Sequence, residues 1–433
     1  MRMHMTRKAK AVFVIVALLL FLIPGIGAVY SGVHRAVYKL NHPEEEYSDI
    51  VFAAEYPFEG AEADMTTAER STVAGKYLTL TNKLTGFIED YSGASNLVSP
   101  FFLNLYGRTA KLLGKNLIDD AERPVIKLEN GCLTYVYSFS QEGWEYEGIP
   151  DFYEWLTEKG ISFLYIEPAE KSDERYAGYP KGFPGECGVY EDSFIRYLGE
   201  NGIPYINSSE LLISENEDFY SWFYKTDHHW NVHAGFLIAS AITERLKTEF
   251  GLSVDGELLD RTGFRSVTYE NAFLGSQGKK TTRGYISPEN FEVYYPLFDT
   301  EFFIEIPTMR LHQTGSFENT LLKTEALRKG DYYSNSSYTA FLYGDFPVTR
   351  IHNMNCKNGT RALMLKTSDA NVVDTYLAFA VEYLDIIDPR HFDGSIRTFI
   401  EMTQPDVVLT CAYPSDVFDD KYRDIQQSFG GMP

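Results

Sequence analysis

Cysteine is scarce in this chain: four residues in 433, at Cys132, Cys187, Cys356 and Cys411, with no CxxC pair. Wide spacing of that kind argues against zinc and thioredoxin-type sites. Basic side chains are outnumbered, 39 Lys and Arg against 61 Asp and Glu, giving a formal net charge of −22. Such a surface cannot neutralise phosphates, so no nucleic acid is expected as a partner, and polyanions are not steered in from a distance. What is present suits a folded protein, with 44% hydrophobic and 23% charged residues. The length of 433 residues leaves room for one large domain with an appendage, or for two domains. The many Tyr and Phe suit sugar stacking and core packing equally.

The N-terminus carries the clearest local signal. Arg2, Arg7, Lys8 and Lys10 precede an uncharged apolar run from Ala11 to Tyr30. A run of this length crosses a bilayer as a helix, with its basic flank inside. The expectation is a single-pass cell-membrane protein with everything after residue 30 outside the cytoplasm. Pro24, Gly25, Gly27 and Ala28 offer a cleavage site after Ala28, which would make the protein secreted; the length of the run favours an uncleaved anchor. Export permits disulfides, and Cys356 or Cys411 can equally be buried thiols. Asn207, Asn335 and Asn358 stand in N-x-Ser/Thr sequons. Residues 31–85, polar and acidic at Glu44, Glu45, Glu46 and Asp49, read as a membrane-proximal stalk. Leu80, Leu84, Phe87, Ile88, Leu103, Leu112 and Leu113 recur at helical spacing and predict helices that dock the stalk on residues 86–433.

The remainder alternates strands and helices. Strands are predicted at 125–128 and 133–137 around Asn130-Gly131, then at 161–166, 203–206, 361–366, 384–387 and 407–410. Helices are predicted at 152–158, 193–198, 233–250, 370–384 and 396–402. Phe341 to Asp345 reads as a strand ending in a turn. A loop rich in Pro and Gly, from Pro168 to Gly185, is long enough to shape a site. Residues 255–335 show no strong period and read as an insertion with short β pieces, including Phe302 to Ile306. Strand–helix–strand repetition implies an α/β fold with a mostly parallel sheet and crossover helices. Sites in such sheets lie beyond the carboxyl ends of the strands.

Two places carry chemistry. The first is Thr226-Asp227-His228-His229-Trp230-Asn231-Val232. A carboxylate two residues before an imidazole can accept its N–H if the backbone turns, leaving the other ring nitrogen for a nucleophile. Neighbouring side chains in extended backbone face opposite ways, so only one of His228 and His229 is expected to serve a site. A structural Asp–His pair is the plainer alternative. Zinc would need a distant third ligand, with His233 sharing a helical face with His229. Trp230 is expected chiefly to pack. The second place is Ser368, just past the strand 361–366 and before Asp369-Ala370-Asn371. There it can be a nucleophile backed by free helix N–H groups, or simply a helix cap. Gly344 can let backbone approach a ligand closely, or can belong to an ordinary Gly-Asp turn.

Asp227-His228-His229-Trp230 is the signature of the bacterial DHHW family, whose members resemble the alginate O-acetylation proteins. The resemblance runs from about residue 85 to the end. Pro168-Ala-Glu-Lys171-Ser-Asp173, Tyr343-Gly344-Asp345-Phe346-Pro347, Leu365-Lys366-Thr367-Ser368-Asp369-Ala370-Asn371 and Asp388-Pro-Arg390-His-Phe-Asp393-Gly394 fall in the expected order. The resemblance implies an SGNH-hydrolase-like, flavodoxin-like three-layer α/β domain. It also implies a Ser–His–Asp triad: Ser368 the nucleophile, His229 the base, Asp227 its orienting acid. Gly344, Asp345, Asn371 and Trp230 would line the oxyanion and substrate site. No cofactor and no metal are implied. The activity implied is O-acetyl transfer to or from a cell-surface polysaccharide, with a membrane-bound O-acyltransferase as possible donor partner; a secreted acetylesterase differs only in using water. The chain departs from the family pattern at Thr367, Asp345 and Asp369. An ionised carboxylate repels an oxyanion. That gives the alternative reading, a catalytically impaired glycan-binding or scaffold member.

Overall fold

The computed structural model describes residues 99–118, 124–136, 148–180, 187–327 and 332–412. The anchor, its cleavage site and the stalk lie outside the described residues. The chain divides into two compact units, Met1–Phe102 and Leu103–Pro433, and every described strand lies in the second. Among the described residues no helix is long and apolar enough to cross a membrane.

In chain order the elements are α1 (Ser99–Leu112), β1 (Leu117–Ile118), β2 (Val125–Lys127), β3 (Leu133–Tyr135), α2 (Gly148–Glu158), β4 (Ser162–Glu167), α3 (Cys187–Glu200), β5 (Tyr205–Asn207) and α4 (Ser208–Glu215). Next come α5 (Val232–Thr248), β6 (Phe264–Phe273), α6 (Ser276–Thr281), β7 (Glu289–Pro296), β8 (Phe302–Ile306), β9 (Leu311–Gly315) and α7 (Phe317–Thr320). The last are β10 (Val348–Asn353), β11 (Arg361–Lys366), α8 (Ala370–Leu377), β12 (Tyr383–Ile387), α9 (Ile396–Thr403) and β13 (Val407–Cys411).

An eight-stranded sheet in the order β5-β4-β13-β11-β12-β10-β8-β9 forms the centre. From β5 to β12 every pairing is parallel. From β12 outward through β10, β8 and β9 every pairing is antiparallel. The sheet is therefore mixed, where sequence periodicity predicts a mostly parallel one. Phe302–Ile306, expected within an insertion, is β8 and part of this sheet. The strands β6 and β7 that precede it pair separately. Strands β2 and β3, expected in the main alternation, instead form a small antiparallel sheet with β1. Gly131 at φ +85° closes the β2–β3 turn, and a hairpin this short satisfies its own ladder.

Helices cover both faces of the large sheet. Ala362 and Met364 of β11 pack under α5 and α8 in one core cluster, with Val373 and Ile238. Leu363 and Leu365 point the other way, to α2, α3 and α9, with Phe152, Phe194 and Ile400. Burial on both faces explains why the central strands read as unbroken apolar runs. The predicted helix 370–384 stops at Leu377, because Ala378 to Val381 are buried all round and turn directly into β12. Leu112 and Leu113, expected to dock, are 74% and 50% exposed. Cys132, Cys356 and Cys411 are buried free thiols. The sequon amides are occupied: Asn207 caps α4, Asn335 donates to Ala326 O, and Asn358 donates to Ala380 O.

Candidate active site

The segment Tyr224–His229 belongs to no helix or strand. An antiparallel bridge between Phe223 and Trp230 pinches its base. Asn231 then caps α5, its side chain accepting from the N–H groups of His233 and Ala234. Trp230 is fully buried and donates Nε1–H to Asp369 O at 2.7 Å, tying this loop to the start of α8. The structure thus gives Trp230 a packing and tethering place.

Within the loop the backbone folds Asp227 back on its neighbours. Asp227 Oδ1 accepts from the His229 N–H at 3.1 Å and meets His229 Nδ1 in a short hydrogen bond. Its Oδ2 accepts from Ser276 N at 2.5 Å. Across the ring, His229 Nε2 lies 2.8 Å from Ser368 Oγ. Asp227, His229 and Ser368 are therefore joined in a line through both ring nitrogens. Burial works against charge on Asp227, but the imidazoles of His229 and His228 and the N–H donors hold its carboxyl well below the usual range. Burial also disfavours an imidazolium at His229; the facing Asp227 outweighs it and raises the pKa. Tyr338 stacks on His229 with ring centroids 3.9 Å apart, and its hydroxyl donates to Asp369 O.

His228 departs from expectation. Because the backbone bends here rather than extending, its ring lies beside that of His229, centroids 3.8 Å apart. His228 Nδ1 is 3.1 Å from Ser276 Oγ and 3.4 Å from Asp227 Oδ1. Among the described residues, Asp227, His228 and His229 are the group whose ligand atoms, all within 4.8 Å of one another, could hold a metal. Both Asp227 oxygens already accept N–H bonds, which suits a proton relay better than a cation. His233 is elsewhere, bonded to Tyr294 and Glu292.

Ser368 follows β11 at the carboxyl edge of the sheet. Its N–H has no partner among the described residues. Below it, Lys366 Nζ donates to Asp345 Oδ1 at 2.6 Å and to Asn371 Oδ1 at 2.7 Å. Asn371 Nδ2 donates to Asp345 Oδ1 at 3.0 Å, so both ends of its amide are engaged inside this cluster. Arg390, paired with Asp388, lies 3.4 Å from Asp345 Oδ2. Burial opposes ionisation of Asp345, yet Lys366 and Arg390 hold its carboxyl well below the ordinary range. Residues 341–345 are not the expected strand. Leu342, Tyr343 and Gly344 all have positive φ, and the Gly344 N–H donates to Phe341 O at 3.1 Å. At φ +108° this position favours glycine. Deeper on α8, Asp374 is buried with neither oxygen hydrogen-bonded among the described residues, and burial pushes its carboxyl up to about 8 despite nearby Lys366.

No family model matches the sequence, and no curated protein does. Solved structures match over most of the chain. The fold is that of PatB1. The Bacillus cereus PatB1 structure with a sulfonyl adduct aligns at a TM-score of 0.55 and 18% identity, over 71% of this chain and 98% of that one. A DHHW family protein from Eubacterium siraeum aligns at 0.53 and 15% identity, over 73% and 99%. The O-acetyltransferase domain of Pseudomonas putida AlgJ aligns at 0.41 and 11% identity, over 71% and 99%; at that score it adds nothing to the fold assignment. The PatB1-like sheet sets β11 and the Asp227 loop against each other across its carboxyl edge. Sequence patterning missed the Tyr338 stack, the Ser276 N–H and two charges behind the loop, the buried Lys171 and the half-buried Glu289. Lys171 alone had a signal, its place in the Pro168–Asp173 stretch of the long loop after β4, one of those that carry the resemblance.

Proposed function

We propose that this chain transfers an O-acetyl group to or from a cell-surface polysaccharide, outside the cytoplasm, through an acyl-enzyme on Ser368. The observation that carries the reading is the unbroken relay from Asp227 through both nitrogens of His229 to Ser368 Oγ. A serine hydroxyl is a weak nucleophile until a base takes its proton. In the first half-reaction Ser368 Oγ attacks the acetyl carbonyl while its proton passes to His229 Nε2. The donor alkoxide leaves with that proton, and Ser368 is acetylated. In the second, an acceptor hydroxyl gives its proton to His229 and attacks the acetyl carbonyl, freeing Ser368. Asp227 fixes the ring and stabilises the transient imidazolium. The Ser368 N–H, without a partner among the described residues, is a donor available to the oxyanion. The carbohydrate acceptor and the membrane-bound donor partner rest on the sequence resemblance, and the N-terminal anchor on the apolar run Ala11 to Tyr30.

A second reading, an impaired glycan-binding or scaffold member, is favoured by one observation. Asp345, held ionised between Lys366 and Arg390, has no side-chain donor to offer Ser368, and Asn371 spends its Oδ1 and one of its two Nδ2 hydrogens on Lys366 and Asp345. Acetyl-ester turnover and labelling by a sulfonyl fluoride separate the two readings. Turnover and labelling that vanish in Ser368→Ala, with turnover lost in His229→Ala, support the enzyme. Glycan binding by a chain inert in both assays supports the scaffold.

A further inference from the structure

The loop bearing Asp227 has no ladder to fix it, yet Tyr224, Thr226, Asp227 and His229 are buried and their peptide groups must find partners. Two charged side chains distant in sequence, the buried Lys171 and the half-buried Glu289, supply several of them, beside the N–H groups of Leu133 and Gly278. Lys171, 1% exposed, reaches in from the loop after β4. Its Nζ donates to Tyr224 O at 2.5 Å and Asp227 O at 2.7 Å, with Lys225 O at 3.3 Å. An ammonium has three protons, and three carbonyls face it. On the other side Glu289, at the start of β7, accepts from Lys225 N at 2.8 Å, Thr226 N at 2.7 Å and Thr226 Oγ1 at 2.5 Å. Thr226 Oγ1 in turn accepts from Gly275 N at 2.9 Å. Gly275 precedes Ser276, whose N–H holds Asp227 Oδ2.

The geometry points to Lys171 and Glu289 as positioning residues: gripping Tyr224–Asp227 from opposite sides, they set where the Asp227 carboxylate stands and so the angle at which His229 meets Ser368. Neither touches Ser368 or His229, so neither is a catalytic residue. The inference rests on Ser368 and His229 acting as nucleophile and base. A positioning fault of about 1 Å costs on the order of 100-fold in rate without weakening substrate binding. A purely structural role would lower the folded fraction and leave each folded molecule at full rate.

The test uses the full chain with Lys171→Met, and Thr226→Val beside Thr226→Ser in case the lysine variant does not fold. Three quantities are read: kcat and KM on an acetyl ester, the rate of Ser368 sulfonylation by a sulfonyl fluoride, and the folded fraction by thermal melting. The expected result for Lys171→Met is a fall in kcat and sulfonylation rate per folded molecule of about 10- to 100-fold, with KM within twofold. Thr226→Val, which loses the hydroxyl bonds to Glu289 and Gly275, falls in the same sense; Thr226→Ser, which keeps them, recovers the rate. If the parent is sulfonylated and both Lys171→Met and Thr226→Val match it per folded molecule, the positioning role is overturned and the Ser368 reading stands. If the parent itself is neither sulfonylated nor active, the Ser368 reading and this inference fall together.

Discussion

Gly275 stands against the Asp227 side chain so closely that one methyl group tests the relay. A Cβ at this position would lie 2.2 Å from Asp227 Cβ, 2.3 Å from Oδ2 and 2.6 Å from Cγ. Carbon contacts settle near 3.5–4.0 Å, so in Gly275→Ala the carboxylate must retreat by about 1 Å. The backbone at Gly275 has φ −70° and ψ −178°, which alanine adopts without strain, so the effect is steric alone. Retreat lengthens the bond to His229 Nδ1 and the 2.5 Å bond from Ser276 N together. A displacement of that size predicts a fall in kcat/KM of about 100-fold, or about 2.7 kcal/mol in the barrier. The ceiling is the loss of about 10⁴-fold that follows when the orienting acid is disabled. Acetyl-ester kinetics measure it, with thermal melting to confirm folding, since crowding a packed site also costs about 1–3 kcal/mol of stability. On an Asp227→Asn background the same methyl adds little further loss, because both changes act through one bond. A folded Gly275→Ala protein within threefold of the parent would show that the Asp227 contact does not govern the reaction.

Two predictions concern pH. His229 must be neutral to accept the Ser368 proton, and Asp227 holds its proton on to higher pH. The acid limb of kcat/KM is therefore expected above the ordinary histidine value of about 6.5; a midpoint at or below that value contradicts the pairing. Asp374 is buried, and its carboxyl is pushed up to about 8, whereas an unfolded aspartate titrates near about 3.9. Unfolding then releases a proton throughout that window, so stability is lost as pH rises from about 4 to about 8, by about 1.4 kcal/mol per unit. Asp374→Asn removes the slope: its melting temperature is expected to exceed the parent's by more at pH 8 than at pH 5, and equal differences would refute the assignment.

The strands buried on both faces, β4, β11 and β13, are legible because their sequences are continuous apolar runs. Ser368 can be placed because it directly follows one of them. Asp227 and His229 can be paired because two residues of bent backbone bring such side chains together. Other features leave no local trace. Phe302–Ile306 alternates as any strand does, and nothing in it names β10 as its partner. Extended backbone would turn His228 away from His229, and a bend that periodicity cannot report sets them side by side. Lys171 and Glu289 are written in the sequence like surface charges; only the folded chain shows Lys171 buried and both side chains set against peptide groups. Three successive left-handed residues at Leu342–Gly344 make a turn of an expected strand.

The place of β13 bears on how the molecule comes into being. It is the last described strand in the chain, yet it lies between β4 and β11, pairing with both. A ribosome delivers β4 some 240 residues before the partner that must insert beside it. Until then β4 and β11 each carry an open edge of the kind that invites wrong pairing. The parallel centre of the sheet cannot close before β13 has been made, and contacts this distant in sequence form slowly. The sheet that sets Ser368 against the Asp227 loop is thus complete only once β13 has been made, so a polypeptide cut before β13 carries no working fraction of the site.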